Sequence, residues 1–114
     1  MAIKPGTYNF TLQRRSDHSI PLLFKDSNNA AINLTGYTVQ AQVWDRDRNI
    51  KYADFAVTYT DRSAGSVTIG LTSTQTATFI TDTLVYDVLL VNPSNVREYY
   101  LEGKITMSEG YTTV

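Results

Sequence analysis

The sequence predicts an all-β domain, one antiparallel immunoglobulin-like β-sandwich of about seven strands spanning residues 1–114. Three observations predict it. Thr, Val, Tyr, Ile and Phe, the types that fit a pleated and half-buried surface, are plentiful. Apolar residues recur with a period of two in one segment after another, and turn signals separate those segments. At 114 residues the chain can bury a core without staples, yet has no room for a second folded module.

Taken in order, Thr7 to Gln13 reads as the first strand, with Tyr8, Phe10 and Leu12 inward and Thr7, Asn9 and Thr11 outward. Arg14 to Ser19 is a polar connection that contains the one histidine, His18. Ile20, Leu22 and Phe24 resume the alternation, and Pro21 assigns their strand to an edge or an irregular start. Asp26-Ser27-Asn28-Asn29 is a turn. Leu34-Thr35-Gly36 then turns the chain into a strand with Tyr37, Val39, Ala41 and Val43 on one face and Thr38, Gln40, Gln42 and Trp44 on the other. Trp44 either caps the core at the strand end or stands exposed as a contact residue, and the burial habit of large aromatics favours the core.

Phe55, Val57 and Tyr59 lead through a turn at Asp61 to Gly65 into Val67, Ile69 and Leu71, which together make a hairpin. Thr72 and Gln75 have capping-box spacing, so one helical turn through Thr76 to Phe79 is expected, with Phe79 dropping into the core. Leu84 to Val91 is apolar on both faces apart from Asp87 and reads as a central strand. After the turn at Asn92-Pro93-Ser94-Asn95, Tyr99, Leu101, Gly103, Ile105 and Met107 share one face of a last strand against Glu98, Tyr100, Glu102 and Lys104. Gly103 marks a bulge there. A jelly roll or small barrel is the alternative architecture.

Composition narrows the chemistry. The absence of Cys excludes disulfides, thiolate metal sites and Cys nucleophiles. Ten basic against eleven acidic residues, with no block of either sign, leave no basic footprint for nucleic acid. Pro5-Gly6 interrupts the start where a signal peptide needs an apolar core, and no apolar run reaches membrane length, so a soluble, unexported protein is expected. Asp45-x-Asp47-x-Asn49 copies the first three ligand positions of a calcium loop, but Ile50 stands where Gly is needed and Ala56 where Glu is needed. A charged hairpin tip accounts for the run better. His18 has no nucleophile or orienting acid beside it in the sequence, and Glu98 and Glu102 fall at i and i+4 on one solvated face. No catalytic, cofactor-binding or metal residue is assigned, and the chain is not expected to be an enzyme. The matches to the glycosylation acceptor pattern at Asn9 and Asn33 are expected to be chance.

What stands out is tyrosine, with eight residues, and outward Tyr beside Arg is the composition of protein interfaces. Trp44, Arg46, Arg48, Tyr52, Arg97, Tyr100 and Tyr111 are therefore the candidate interface residues, carried mainly by the segments Asp45 to Tyr52 and Asn92 to Tyr100. The tails, 1–6 and 109–114, are expected to be flexible and to order on docking.

The run TYNFTLQRRSDHSIPLLFKDSNNAAINLTGYTVQAQVWD, with the later VTYTDRSAGSVTIGLTSTQTATF and LVYDVLLVNPSNVREYYLEGKITMSEGYT, resembles the N-terminal domain of phage baseplate upper proteins and related small phage virion proteins. The shared landmarks are Leu34 to Tyr37, Ala64 to Val67, Leu71 to Thr76, the Tyr86-Asp87 pair and Leu101 to Gly103. All are structural. The resemblance implies a sandwich, made in the host cytoplasm, that docks among other virion proteins as a tail or baseplate adaptor in symmetric, oligomeric copies. Those proteins continue into further domains, whereas this chain stops at Val114, which shifts weight toward a small adaptor, tail-completion or head-decoration subunit. Head decoration is one alternative; carbohydrate or host-receptor binding is another, and it requires Trp44 with Asn or Asp side chains in one accessible groove.

Overall fold

Among the described residues, nine strands and two helical turns follow in chain order: β1 (Gly6–Thr7), β2 (Phe10–Gln13), β3 (His18–Leu23), β4 (Thr38–Trp44), β5 (Lys51–Asp54), β6 (Ala56–Asp61), a 3-10 turn (Arg62–Ala64), β7 (Ser66–Leu71), α1 (Ser73–Thr76), β8 (Thr83–Val91) and β9 (Arg97–Ser108). They come from a computed structural model, which describes residues 6–26 and 28–112. The larger sheet runs β1–β9–β8–β4–β5, with β2 also on β9, and the smaller runs β3–β7–β6. Their inner faces enclose one apolar core, so the chain is an all-β sandwich.

The period of two explains the core directly. Along β8, Leu84, Tyr86, Val88 and Leu90 are buried while the intervening residues are half-covered, and β7 answers with Val67, Ile69 and Leu71. Each such fully buried side chain contributes roughly 1.5–3 kcal/mol. Phe24, Leu34 and Phe79, all fully buried, close the core from the connections. Phe79 is carried there by the expected capping box, in which the Thr72 hydroxyl accepts from Gln75 N at 3.2 Å and Gln75 Oε1 accepts from Thr72 N at 2.9 Å. The helix is shorter than expected and ends at Thr76. Pro21 lies on the edge strand β3, as its missing N–H requires.

Four features depart from the alternation read in the sequence. The first strand is two pieces, interrupted at Tyr8 and Asn9, and both pair parallel, not antiparallel, with β9. Asn9 causes the break by using its side-chain Oδ1, at 2.9 Å, as the acceptor for Lys104 N, and Tyr8 is left 47% exposed. Next, Lys51 to Asp54 is a strand and not part of a hairpin tip; the chain leaves the larger sheet at Phe55, whose N–H still bonds Ala41 O at 2.9 Å, and joins the smaller one as β6. His18 is the first residue of β3, its ring stacked 4.9 Å from Phe10, and not a loop residue.

The fourth departure matters most for the surface. β9 carries its bulge at Tyr100, because Val88 pairs with Leu101 and Leu89 with Tyr99. One extra residue turns everything before it to the opposite face. Gly103 has a different role: a β-carbon there would collide with the Tyr8 carbonyl oxygen, so glycine is what lets the N-terminal strand cross close to β9. Tyr86 ties the same crossing from below, donating from its hydroxyl to Tyr8 O at 2.5 Å. Burial, with a smaller push from Tyr8, holds that phenol far above its ordinary pKa, so it stays a donor.

The tail after β9 is tied to the Arg14-Arg15 turn at its start. Glu109 takes both Arg14 and Arg15, each at 2.7 Å, and Arg15 also donates to the Gly110 carbonyl. The expectations for residues 1–5 and 113–114 lie outside the described residues.

Candidate functional site

The outer face of the larger sheet is built in rungs, because directly paired residues share a face. Gln42, Asp87 and Glu102 form one rung; Trp44, Val85 and Lys104 form the next; Gln40, Leu89 and Tyr99 lie on the other side. Over them runs a groove of about 650 Å³, walled by Thr7 and Asn9 on one flank and by the Asp45–Arg48 loop on the other. Concave, mostly preformed and lined by a mixture of aromatic and polar groups, this is the form that binding sites take.

The loop is held by its own first residue. Asp45 Oδ1 accepts from Asn49 N at 2.5 Å and from Ile50 N at 2.9 Å, so this carboxylate is engaged by the turn backbone. Arg48 sits at φ 60°, an uncommon conformation for a side-chain-bearing residue, with its N–H on Asp45 O at 3.1 Å. The turn lays the Arg48 guanidinium 4.4 Å from the centre of the Trp44 ring. The indole N–H in turn donates to Gln42 Oε1 at 2.9 Å. Trp44 is thus half-buried on the outer face, packed under Arg48; it does not cap the core, because its parity along β4 is opposite to that of Val43.

The floor holds two carboxylates on neighbouring strands. Asp87 and Glu102 are directly paired, and among the described residues neither side chain accepts a hydrogen bond or joins an ion pair. Burial raises the Asp87 carboxyl above its ordinary pKa, Glu102 raises it further, and Arg48 pulls it part of the way back. Counting the charged lining, Arg46, Arg48 and Lys104 balance Asp45, Asp87 and Glu102.

Three of the seven candidate interface residues, Trp44, Arg46 and Arg48, come together in this groove. Tyr100 does not: the bulge turns it inward, its ring 4.5 Å from that of Phe24 and its hydroxyl 2.8 Å from Lys25 N. Tyr52 also packs on the core, edge-on to Phe79 at 5.8 Å, because it is the extra residue of a bulge in β5, where Val43 pairs with Ala53 but Trp44 with Lys51. Arg97 is exposed at the far end of β9, and Tyr111, 88% exposed, follows the anchored tail. Glu98 and Glu102, expected on one face, are separated by the same bulge. Glu98 faces a cavity of about 70 Å³ beside Tyr37, Leu90 and Asn92, with Oε2 buried and without a partner.

Sequence reasoning missed Gln40, Gln42, Leu89, Tyr99, Glu102 and Lys104 as parts of one site. Asp87 was the one available signal, the lone charge in an otherwise apolar strand.

No protein-family model and no curated protein matches this chain. Among solved structures it is similar to the Lin-41 filamin domain, with 18% identity over 88% of this chain and 84% of that one, at a TM-score of 0.49. A likeness of that size bears on neither function nor partners.

Proposed function

We propose that this chain is a non-enzymatic virion structural protein of a bacteriophage, a tail or baseplate adaptor that binds other virion proteins through the outer face of its larger sheet. The observation that carries the binding role is the groove itself: an aromatic and amide lining, charge-balanced, with Trp44 and Arg48 preassembled as a rigid pair. The phage setting draws on the resemblance to baseplate upper proteins. The non-enzymatic reading draws on the lining, which contains neither His nor Cys, and on the lack of any group oriented onto Asp87 or Glu102.

Gold-labelled antibody on purified virions tests the setting. Label at the tail tip or collar is expected; label over the head moves the protein to capsid decoration, and unlabelled particles, with an antibody proven on the native protein, refute both. Within particles, Tyr99→Ala and Trp44→Ala are expected to reduce incorporation while leaving the fold intact. A second reading, glycan binding, is favoured by one observation: Trp44, Gln40, Gln42 and Asp87 share one accessible groove. Arg48 covers the indole, so a sugar would have to displace it before stacking. Glycan-array silence of both the unmodified chain and Arg48→Ala would dispose of this reading.

A further inference from the structure

The groove holds a cation and two carboxylates that do not meet. The exposed Arg48 lays its guanidinium 4.4 Å from the centre of the Trp44 ring, and among the described residues it joins no ion pair and donates no side-chain hydrogen bond. Its reach is set by the turn, where Arg48 stands at φ 60° with its N–H on Asp45 O. On the floor, Asp87 and Glu102 face each other across β8 and β9, and among the described residues neither carboxylate has a donor. Like charges directly opposite on a sheet weaken it, and Asp87 is half-covered, so this pair costs stability that Arg48 restores only in part. Lys104, one rung along beside Val85, joins no ion pair either.

We infer that the groove takes an arginine side chain of the partner protein, its guanidinium forked onto Asp87 and Glu102 and its flat face against Trp44, in exchange for Arg48. The inference rests on the reading of the groove as the docking face and names what that face recognises. Charge and shape both select the occupant. A guanidinium is planar, carries five N–H donors, and stacks on aromatic faces while bonding carboxylates in pairs. The Trp44 ring already holds one in this chain. A partner's arginine is not tied to the turn between β4 and β5, so its donors can reach the carboxylates that Arg48 leaves bare. An ammonium supplies the charge without the fork, and an acidic group would meet like charge on the floor. Arg48 is thus a resident competitor, held over the indole by the ring and released when a better-placed cation arrives.

Nuclear magnetic resonance titration of the whole chain with acetyl-arginine methylamide tests it. Saturating shifts are expected at the Trp44 indole N–H and at the Asp87 and Glu102 amides. The lysine counterpart should bind more weakly, and the citrulline counterpart, which keeps the shape without the charge, should not bind, nor should the glutamate one. Asp87→Asn removes a charged acceptor and should weaken arginine binding about tenfold. Arg48→Ala clears the ring and should tighten it about two- to fivefold. Citrulline binding as well as arginine, indifference to Asp87→Asn, or binding weakened or unchanged in Arg48→Ala would each overturn the inference. Incorporation into virions separates it from the reading beneath it. Incorporation reduced by Asp87→Asn as by Trp44→Ala supports the arginine site. If Trp44→Ala and Tyr99→Ala reduce incorporation while Asp87→Asn combined with Glu102→Gln does not, the groove stands as the docking face and the arginine falls. Arginine binding as described, with incorporation indifferent to all four substitutions, keeps the arginine site and overturns the virion role.

Discussion

The two faces of β8 use the same nine residues to opposite ends. Inward, Leu84, Tyr86, Val88 and Leu90 meet the smaller sheet and are buried to within a few per cent, so each position admits little besides its own volume. Outward, Val85, Asp87 and Leu89 line a groove whose neighbours come from β4 and β9 and whose chemistry is mixed. Stability is written on the first face and recognition on the second, one residue apart. Adjacent substitutions should therefore separate the two. Val88→Asp is expected to abolish folding or cost more than about 4 kcal/mol, because it buries an unpaired charge. Leu89→Gln should cost less than about 1 kcal/mol, being on the half-covered face. Urea unfolding of both variants checks the contrast, and similar losses would show that the outer face is also core.

The next largest effect concerns what holds the groove's N-terminal wall. Thr7 and Asn9 reach the groove because the chain crosses β9 at Gly103, where the Tyr8 carbonyl lies too close for any side chain. Gly103→Ala is expected to cost about 1–3 kcal/mol, as overpacking does. It should also loosen β1, read as faster hydrogen exchange at Thr7 and Tyr8, with little change across β7. Uniform loosening would mean that Gly103 serves the whole sheet and not this crossing.

These two regions also differ in how legible they were. The inner face was readable because its signal is local: Leu84, Tyr86, Val88 and Leu90 keep one parity along an unbroken strand, and the pairing partner does not alter which way they point. Capping at Thr72 and the edge position of Pro21 are local in the same sense. The outer site was not readable, because it is assembled across strands. The bulge at Tyr100 exchanges Tyr99 and Tyr100 between faces, and a sequence that has Gly three residues later draws attention to the wrong position. Tyr99 then enters the groove and Tyr100 the core. The gap between β1 and β2 depends likewise on a side chain, Asn9, standing in for backbone.

The smallest effect is the most specific test of the groove floor. Asp87 ionises less readily in the folded chain than in the unfolded one, since burial and then Glu102 disfavour its charge. A raised carboxyl pKa means that the folded state holds a proton to higher pH than the unfolded state does, so ionisation weakens the fold as pH rises through that interval. Above it the penalty is fully present, and below the unfolded pKa it is gone. Asp87→Asn should therefore raise the urea midpoint modestly at pH 7, and the gain should shrink toward zero as pH falls through the ordinary carboxylate range. Glu102→Gln should act in the same direction, because it removes the facing charge. Glu109 supplies the opposite control: the Arg14 hydrogen bond, opposed by desolvation and helped by Arg15, holds its carboxyl below the ordinary value. Glu109→Gln should cost stability at neutral pH, and that cost should disappear in acid as the unmodified Glu109 is protonated. If the Asp87→Asn gain proves independent of pH, the outer face is wetter than its geometry implies and the floor carboxylates do not act on one another.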